Sequence, residues 1–220
     1  MKRWMNSSQT SGVPSHALII LCEGKHDYEF IKELISKINV KCDVKDQDPR
    51  DKDFIIRHIV DGKRLSYVPV IIEGGKDRLD GNVRLLISKL RSVHGSSTWV
   101  LILRDSDSND ADSAFDKLRR NIVSLINNPL KFSLYKPSMN CGQGIRVGSF
   151  VYYDCVLRYM DGDVYFRFIF VVPSLEDFLR DYGYGDSRLH SAIDKALNDP
   201  RNNDVVDIFK SLLGSCLFDE

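Results

Sequence analysis

The chain has 220 residues, with 31 Lys+Arg against 31 Asp+Glu and a formal net charge of zero. That balance excludes a histone-like or polybasic binder acting through bulk charge. Hydrophobic residues at 43% and charged residues at 28% suit a globular domain, alone or with a small appendage, that buries a sizeable core. The acids are unevenly chosen, 25 Asp against 6 Glu. No apolar run approaches the roughly 18 residues of a membrane span. Residues 1–15 lack the apolar centre of a secretory signal, so a flexible tail and a cytoplasmic protein with no membrane partner are expected. Cys22, Cys42, Cys141, Cys155 and Cys216 have neither zinc nor redox spacing, and reduced thiols are expected.

Ala17 to Cys22 is a continuous apolar run, suited to a buried parallel strand, and it ends on Glu23-Gly24. Phe30, Ile31, Leu34, Ile35 and Ile38 then recur at helical spacing. Residues 41–67 are charged and mixed, with a short helix expected over Phe54 to Val60. Val68 to Ile72 predicts a second strand, closing on Glu73-Gly74-Gly75. A helix through Val83, Leu86, Ile87, Leu90 and Val93 follows, stopped by Gly95. Thr98 to Leu103 predicts a third strand, closing on Arg104-Asp105-Ser106-Asp107. A third helix carries Phe115, Leu118, Ile122 and Leu125, and Leu130 to Tyr135 predicts a fourth strand. Strands alternating with helices imply a parallel sheet with helices on its faces.

From about Gly144 the rhythm changes. Phe150 to Tyr159 and Val164 to Val172 flank Asp161-Gly162, a hairpin signal. Val164, Phe166, Phe168, Phe170 and Val172 are expected on one face. Three helices are predicted after it, over residues 175–182, 188–197 and 204–213. The tail over 1–15, an α/β domain over 16–140 and a hairpin-plus-helices extension over 141–220 packed on it make up the expected organisation.

Ligands of open α/β sheets bind at the carboxyl ends of the strands. Here all three early strands carry an acid there: Glu23, Glu73, and the pair Asp105 and Asp107. Two carboxylates at i and i+2 can turn toward one hard cation, and a Glu on a neighbouring strand completes an oxygen set. Without a cation such a cluster repels itself and is partly protonated.

These residues resemble a family. Leu18-Ile19-Ile20-Leu21-Cys22-Glu23-Gly24-Lys25-His26-Asp27, followed by Leu101-Ile102-Leu103-Arg104-Asp105-Ser106-Asp107, looks like the TOPRIM domain of topoisomerases, DnaG-type primases, OLD-family nucleases and RNase M5-like maturases. The resemblance spans roughly residues 16–135. It implies a Rossmann-like, mainly parallel four-stranded sheet flanked by helices, and a Mg²⁺ (or Mn²⁺) site. Glu23 matches the family's metal ligand or general acid/base, Asp105 and Asp107 its metal-binding pair, and Gly24 the glycine that lets a helix start close to the sheet. These 220 residues are too few for the nucleophilic-tyrosine domains of the larger members and show no zinc pattern, so a match to the small nuclease-like members is expected. Some of these carry a further acid for a second metal, for which Glu176 in Pro173-Ser174-Leu175-Glu176-Asp177 is the candidate. Ser174 with Asp177 three residues later also reads as a helix cap.

Glu73-Gly74-Gly75-Lys76 resembles the family's glycine-rich turn, where adjacent glycines let backbone N–H groups approach a phosphate and Lys76 meets it. Lys25 and Arg104 flank the acids as further phosphate contacts. Asp110 and Asp112 are outer-sphere candidates, with helix capping the plainer role. His26 reads as an ordinary helix-first-turn histidine. Tyr152, Tyr153, Tyr159 and Tyr165 read as packing residues of the hairpin. Asp105-Ser106-Asp107-Ser108 is also similar to a dehalogenase-type phosphatase motif, but it follows the third strand and not the first. No P-loop or Gly-x-Ser-x-Gly elbow is present.

The expectation is therefore Mg²⁺-dependent hydrolysis of DNA or RNA. The alternatives are a non-catalytic module that binds metal and nucleic acid or a partner, a homodimer among them, and a small-substrate phosphatase. A neutral chain remains compatible with a polyanion if the metal-loaded site is net positive.

Overall fold

The computed structural model describes residues 17–38, 43–47, 67–90, 98–108, 110–127, 137–159, 162–185 and 188–217. The strands are β1 (Ala17–Cys22), β2 (Asp43–Gln47), β3 (Tyr67–Ile72), β4 (Thr98–Asp105), β5 (Ser138–Cys141), β6 (Ile145–Val147), β7 (Phe150–Tyr159) and β8 (Gly162–Val171). The helices are α1 (Lys25–Lys37), α2 (Lys76–Leu90), α3 (Ala111–Ile126), α4 (Leu175–Arg180), α5 (Leu189–Asn198) and α6 (Asn203–Leu217), with a 3₁₀ turn at Pro200–Asn202.

Among these residues the strands form one sheet in the order β2-β3-β1-β4-β8-β7-β5, with β6 also on β7. The first five in that order run parallel, and the last pairings are antiparallel. The class is α/β with a mixed, mostly parallel sheet, larger than the expected four strands. The hairpin is not an appendage: β8 lies parallel to β4 along Thr98↔Val164 to Asp105↔Val171. The predicted strand at 130–135, the helix at 54–60 and Gly95 lie outside the described residues, as does the tail over 1–15.

Period-two alternation explains why β8 belongs inside the sheet. Val164, Phe166, Phe168 and Phe170, with Val172 beyond the strand end, face one core layer, while Ile169 and Val171 face the other. A strand apolar on both faces must be covered on both. The first layer is filled by Leu79, Val83, Leu86 and Ile87 of α2 and Phe115, Leu118, Ile122 and Leu125 of α3. The second takes Phe30, Ile31, Leu34 and Ile35 of α1 together with residues of α4, α5 and α6. Phe30, Phe150, Phe166, Phe168, Phe170 and Phe209 are fully buried, each contributing about 1.5–3 kcal/mol of transfer free energy.

β2 was missed because Asp-Val-Lys-Asp-Gln has no apolar alternation. It is a polar edge strand held by its ladder with β3. The expectation of reduced thiols is corrected at one pair. Cys141 and Cys155 face each other across β5 and β7 and form a disulfide, a pairing that depends on strand register and not on sequence spacing. Cys22 is free and buried, and burial pushes its thiol well above the usual value. Among the described residues no helix is long and apolar enough to cross a membrane.

Candidate functional site

From β1 the chain connects toward β3 on one side of the sheet, and from β4 toward β8 on the other. The crevice between the carboxyl ends of β1 and β4 is thus the topological switch point, where α/β sheets bind ligands. Leu21 pairs with Ile102 and Cys22 with Leu103, so Glu23 and Asp105 leave neighbouring strands within two residues of the same level. A cavity of about 260 Å³ opens there, lined by Glu23, Gly24, Lys25, His26, Asp27, Asp105 and Glu176.

Each lining residue has a local reason for its place. Gly24 begins α1, and the Asp27 carboxylate accepts its N–H at 2.8 Å. Burial pushes the Asp27 carboxyl up to about 8; Asp105, Glu23 and Glu176 add to the rise, against the pull of the Gly24 N–H. Asp105 follows Leu103 on the α1/α4 side of β4 and accepts the backbone N–H of Leu175 at 2.8 Å. Ser174 caps α4 by accepting the Asp177 N–H at 3.1 Å, and this short helix carries Glu176 to the cavity. Glu176 meets His26 Nδ1 at 2.7 Å, and the Tyr184 hydroxyl stands 3.4 Å from His26 Nε2. Oε2 of Glu23 is buried and has no hydrogen-bond partner among the described residues.

The structure brings together Glu23, Asp105, Glu176 and Lys25. Asp107 is exposed, does not line the cavity, and has backbone φ of 56° with its N–H on the Pro173 carbonyl at 3.0 Å. Glu73 turns the other way: it is 3% exposed and accepts from the Asn82 side chain on α2. Arg104 is corrected as a phosphate contact. One position before Asp105 it points to the opposite face, where it is 6% exposed, paired with Asp80 of α2 and stacked over Phe170. Burial raises the Asp80 carboxyl even with Arg104 beside it.

Gly74 and Gly75 both adopt positive φ, 69° and 129°, which a side chain would resist. The Gly75 N–H is committed to the Glu23 carbonyl at 3.0 Å, so it is corrected as a phosphate donor. The turn instead ties β3 to the end of β1. The Lys76 side chain lies outside what is described. Asp110 caps α3 through the Ser113 N–H at 3.0 Å, and Asp112 accepts from the Tyr153 hydroxyl, so both have structural partners. Tyr153 stacks on Phe115 and Tyr165 on Trp99, as packing residues do.

Two cavity residues had no assigned role in the sequence. Asp27 sits in the quoted motif, but its burial follows only from the α1 approach. His26 acquires its carboxylate from 150 positions away, which no local pattern reveals. Among the described residues, no three His, Cys, Asp or Glu side chains already form a metal-binding group.

No family model matches the chain, and no curated protein matches it. Two solution NMR structures of de novo designed proteins with a P-loop NTPase fold are similar in part. One is 21% identical over 50% of this chain and 74% of that chain, with a TM-score of 0.30. The other is 20% identical over 47% and 73%, with a TM-score of 0.31. Likeness at that level carries no argument, and the α/β class rests on the chain's own sheet.

Proposed function

We propose that this chain is a small TOPRIM-type, Mg²⁺-dependent phosphodiester hydrolase acting on DNA or RNA. The observation that carries the reading is the Glu23 carboxylate. Its Oε2 is withdrawn from solvent without a hydrogen-bond donor, in a cavity shared with Asp105, Asp27 and Glu176. An anionic oxygen buried without a donor is costly, and a hard divalent cation is the partner that all-oxygen donors suit. Glu23, Asp105 and Glu176 would hold it, with Asp107 at the rim of the same loop. A bound Mg²⁺ would stabilise charge on the phosphate and lower the pKa of an attacking water. Like charges keep the bare carboxylates apart, consistent with a group that forms around the ion and not before it.

The chain's own residues do the rest. Leu175 N–H and His26 orient Asp105 and Glu176, and Lys25 at the cavity wall meets a flanking phosphate. The adjacency of the Glu-Gly and Asp-x-Asp strands supports the TOPRIM assignment. The test is cleavage of labelled DNA and RNA with Mg²⁺ or Mn²⁺ by wild type and by Asp105→Ala/Asp107→Ala. We expect at least about a 100-fold loss, the scale of removing one electrostatic catalytic group. Unchanged cleavage in the variant would sink the assignment. Salt-sensitive binding without turnover under either metal would favour the non-catalytic module.

A further inference from the structure

We propose that Arg78 is a substrate-positioning residue that holds a nucleic-acid phosphate at the turn after β3, outside the cavity lining and beside it; the inference rests on the reading above. Of the phosphate-binding groups that the sequence suggested, Arg104 is committed to Asp80 and the Gly75 N–H to the Glu23 carbonyl. Arg78, in the first turn of α2, is exposed. Among the described residues it makes no hydrogen bond or ion pair.

Its guanidinium lies against the Gly74 turn: an ideal Cβ built on Gly74 would stand 3.5 Å from Arg78 Nη1. That turn is bonded to the end of β1, through Glu73 N–H to the Cys22 carbonyl and Gly75 N–H to the Glu23 carbonyl, each at 3.0 Å. The turn that Arg78 approaches is thereby tied to the backbone of a candidate metal ligand, and the guanidinium stands outside the cavity lining, free to reach a phosphate at its rim. An arginine serving only to neutralise the cavity would bond Glu23, yet Glu23 Oε2 has no donor. A cation in a first helical turn also gains nothing from the helix dipole. The fork geometry matches a phosphate in bidentate fashion.

The test uses the full chain with fluorescent single- and double-stranded DNA and RNA oligonucleotides in Mg²⁺, comparing wild type, Arg78→Ala and Arg78→Lys. Arg78→Ala is expected to weaken binding about 10-fold and to lower the slope of log affinity against log salt by about one. KM rises while kcat stays within about twofold, as for lost uniform binding. Arg78→Lys recovers the salt slope but only part of the affinity, and Mn²⁺ affinity is the same in all three. Equal affinity and slope in wild type and Arg78→Ala, or a wild type that binds no oligonucleotide, would overturn the proposal. A wild type that binds without cutting overturns hydrolysis and leaves the Arg78 assignment standing on its binding data. A wild type that cuts, with Arg78→Ala indistinguishable from it, overturns Arg78 alone.

Discussion

The two faces of the sheet treat charge in opposite ways. On the α2/α3 face, the two buried polar side chains at the strand ends each meet a side chain of the covering helix: Arg104 meets Asp80, and Glu73 meets Asn82. On the α1/α4 face, Glu23, Asp27, Asp105 and Glu176 share one cavity with Lys25 and His26. The strand ends are alike in sequence, each an apolar run followed by an acid. What differs is the partner that the covering helix supplies. Matching marks charges that hold the fold together. Crowding marks charges kept at a cost to stability, which is where function is sought.

The largest effect that could break this comparison is on stability. Arg104→Ala leaves the half-buried Asp80 without its partner and empties a buried side-chain site, and breaking a buried pair costs at most about 3–5 kcal/mol. Asp105→Asn should cost far less, because the amide oxygen can still accept the Leu175 N–H while one charge leaves a crowd. Urea unfolding of both variants checks the contrast. If Asp105→Asn is as destabilising as Arg104→Ala, the cavity acids are structural and the distinction between the faces fails.

Next comes the cation itself. A ligand present at 100 times its Kd stabilises a protein by about 2.7 kcal/mol, and for 150–250 residues each kcal/mol moves Tm by about 2–4 °C. Saturating Mg²⁺ or Mn²⁺ should therefore raise the wild-type Tm by roughly 5–10 °C. Glu23→Gln should lose most of that shift, and Arg104→Lys should keep it. Thermal melts with and without chelator decide the matter.

A third effect is on pH dependence. Asp27 binds its proton more tightly in the folded chain, up to about 8 against an ordinary 3.8. Its contribution to stability is therefore complete below about pH 4 and is lost as pH rises through about 8. Asp27→Asn should flatten that part of the stability profile in metal-free buffer. A profile equally steep in the variant would show that the burial of Asp27 does not set the pH dependence of this face.

How far the sequence reaches follows the same division. Continuous apolar runs revealed β1, β3 and β4, and the 3.6 period revealed α1, α2 and α3, because those patterns are local consequences of burial. Glu23 and Asp105 were legible because they terminate such runs. β2 was not, since an edge strand of Asp, Val, Lys and Gln owes its form to β3. The place of β8 was half legible. Its alternating face was read, but Ile169 and Val171 on the other face, which require a second cover, were not used. Arg104 and Asp105 illustrate the limit at a single residue. Period two sends them to opposite faces, yet only the positions of α2 and α4 say which face holds the cavity. His26 with Glu176 and Cys141 with Cys155 are pairings of tertiary register, invisible to spacing.

The smallest prediction is also the sharpest, because it sets two equal caps on the two faces. Ser174 caps α4 and Asp110 caps α3, and each substitution to Ala removes one helix N-cap. Ser174→Ala and Asp110→Ala should therefore lower stability by similar amounts in denaturant. Their effects on the site should differ. α4 supplies the Leu175 N–H that orients Asp105 and carries Glu176 to His26, so loosening its first turn should weaken Mn²⁺ binding several-fold. Asp110 caps a helix on the opposite face, and Asp110→Ala should leave Mn²⁺ binding within about twofold. Calorimetric titration with Mn²⁺ of the two variants measures the split. Equal losses of metal affinity would mean that stability alone sets the site, and that the α4 register contributes nothing of its own.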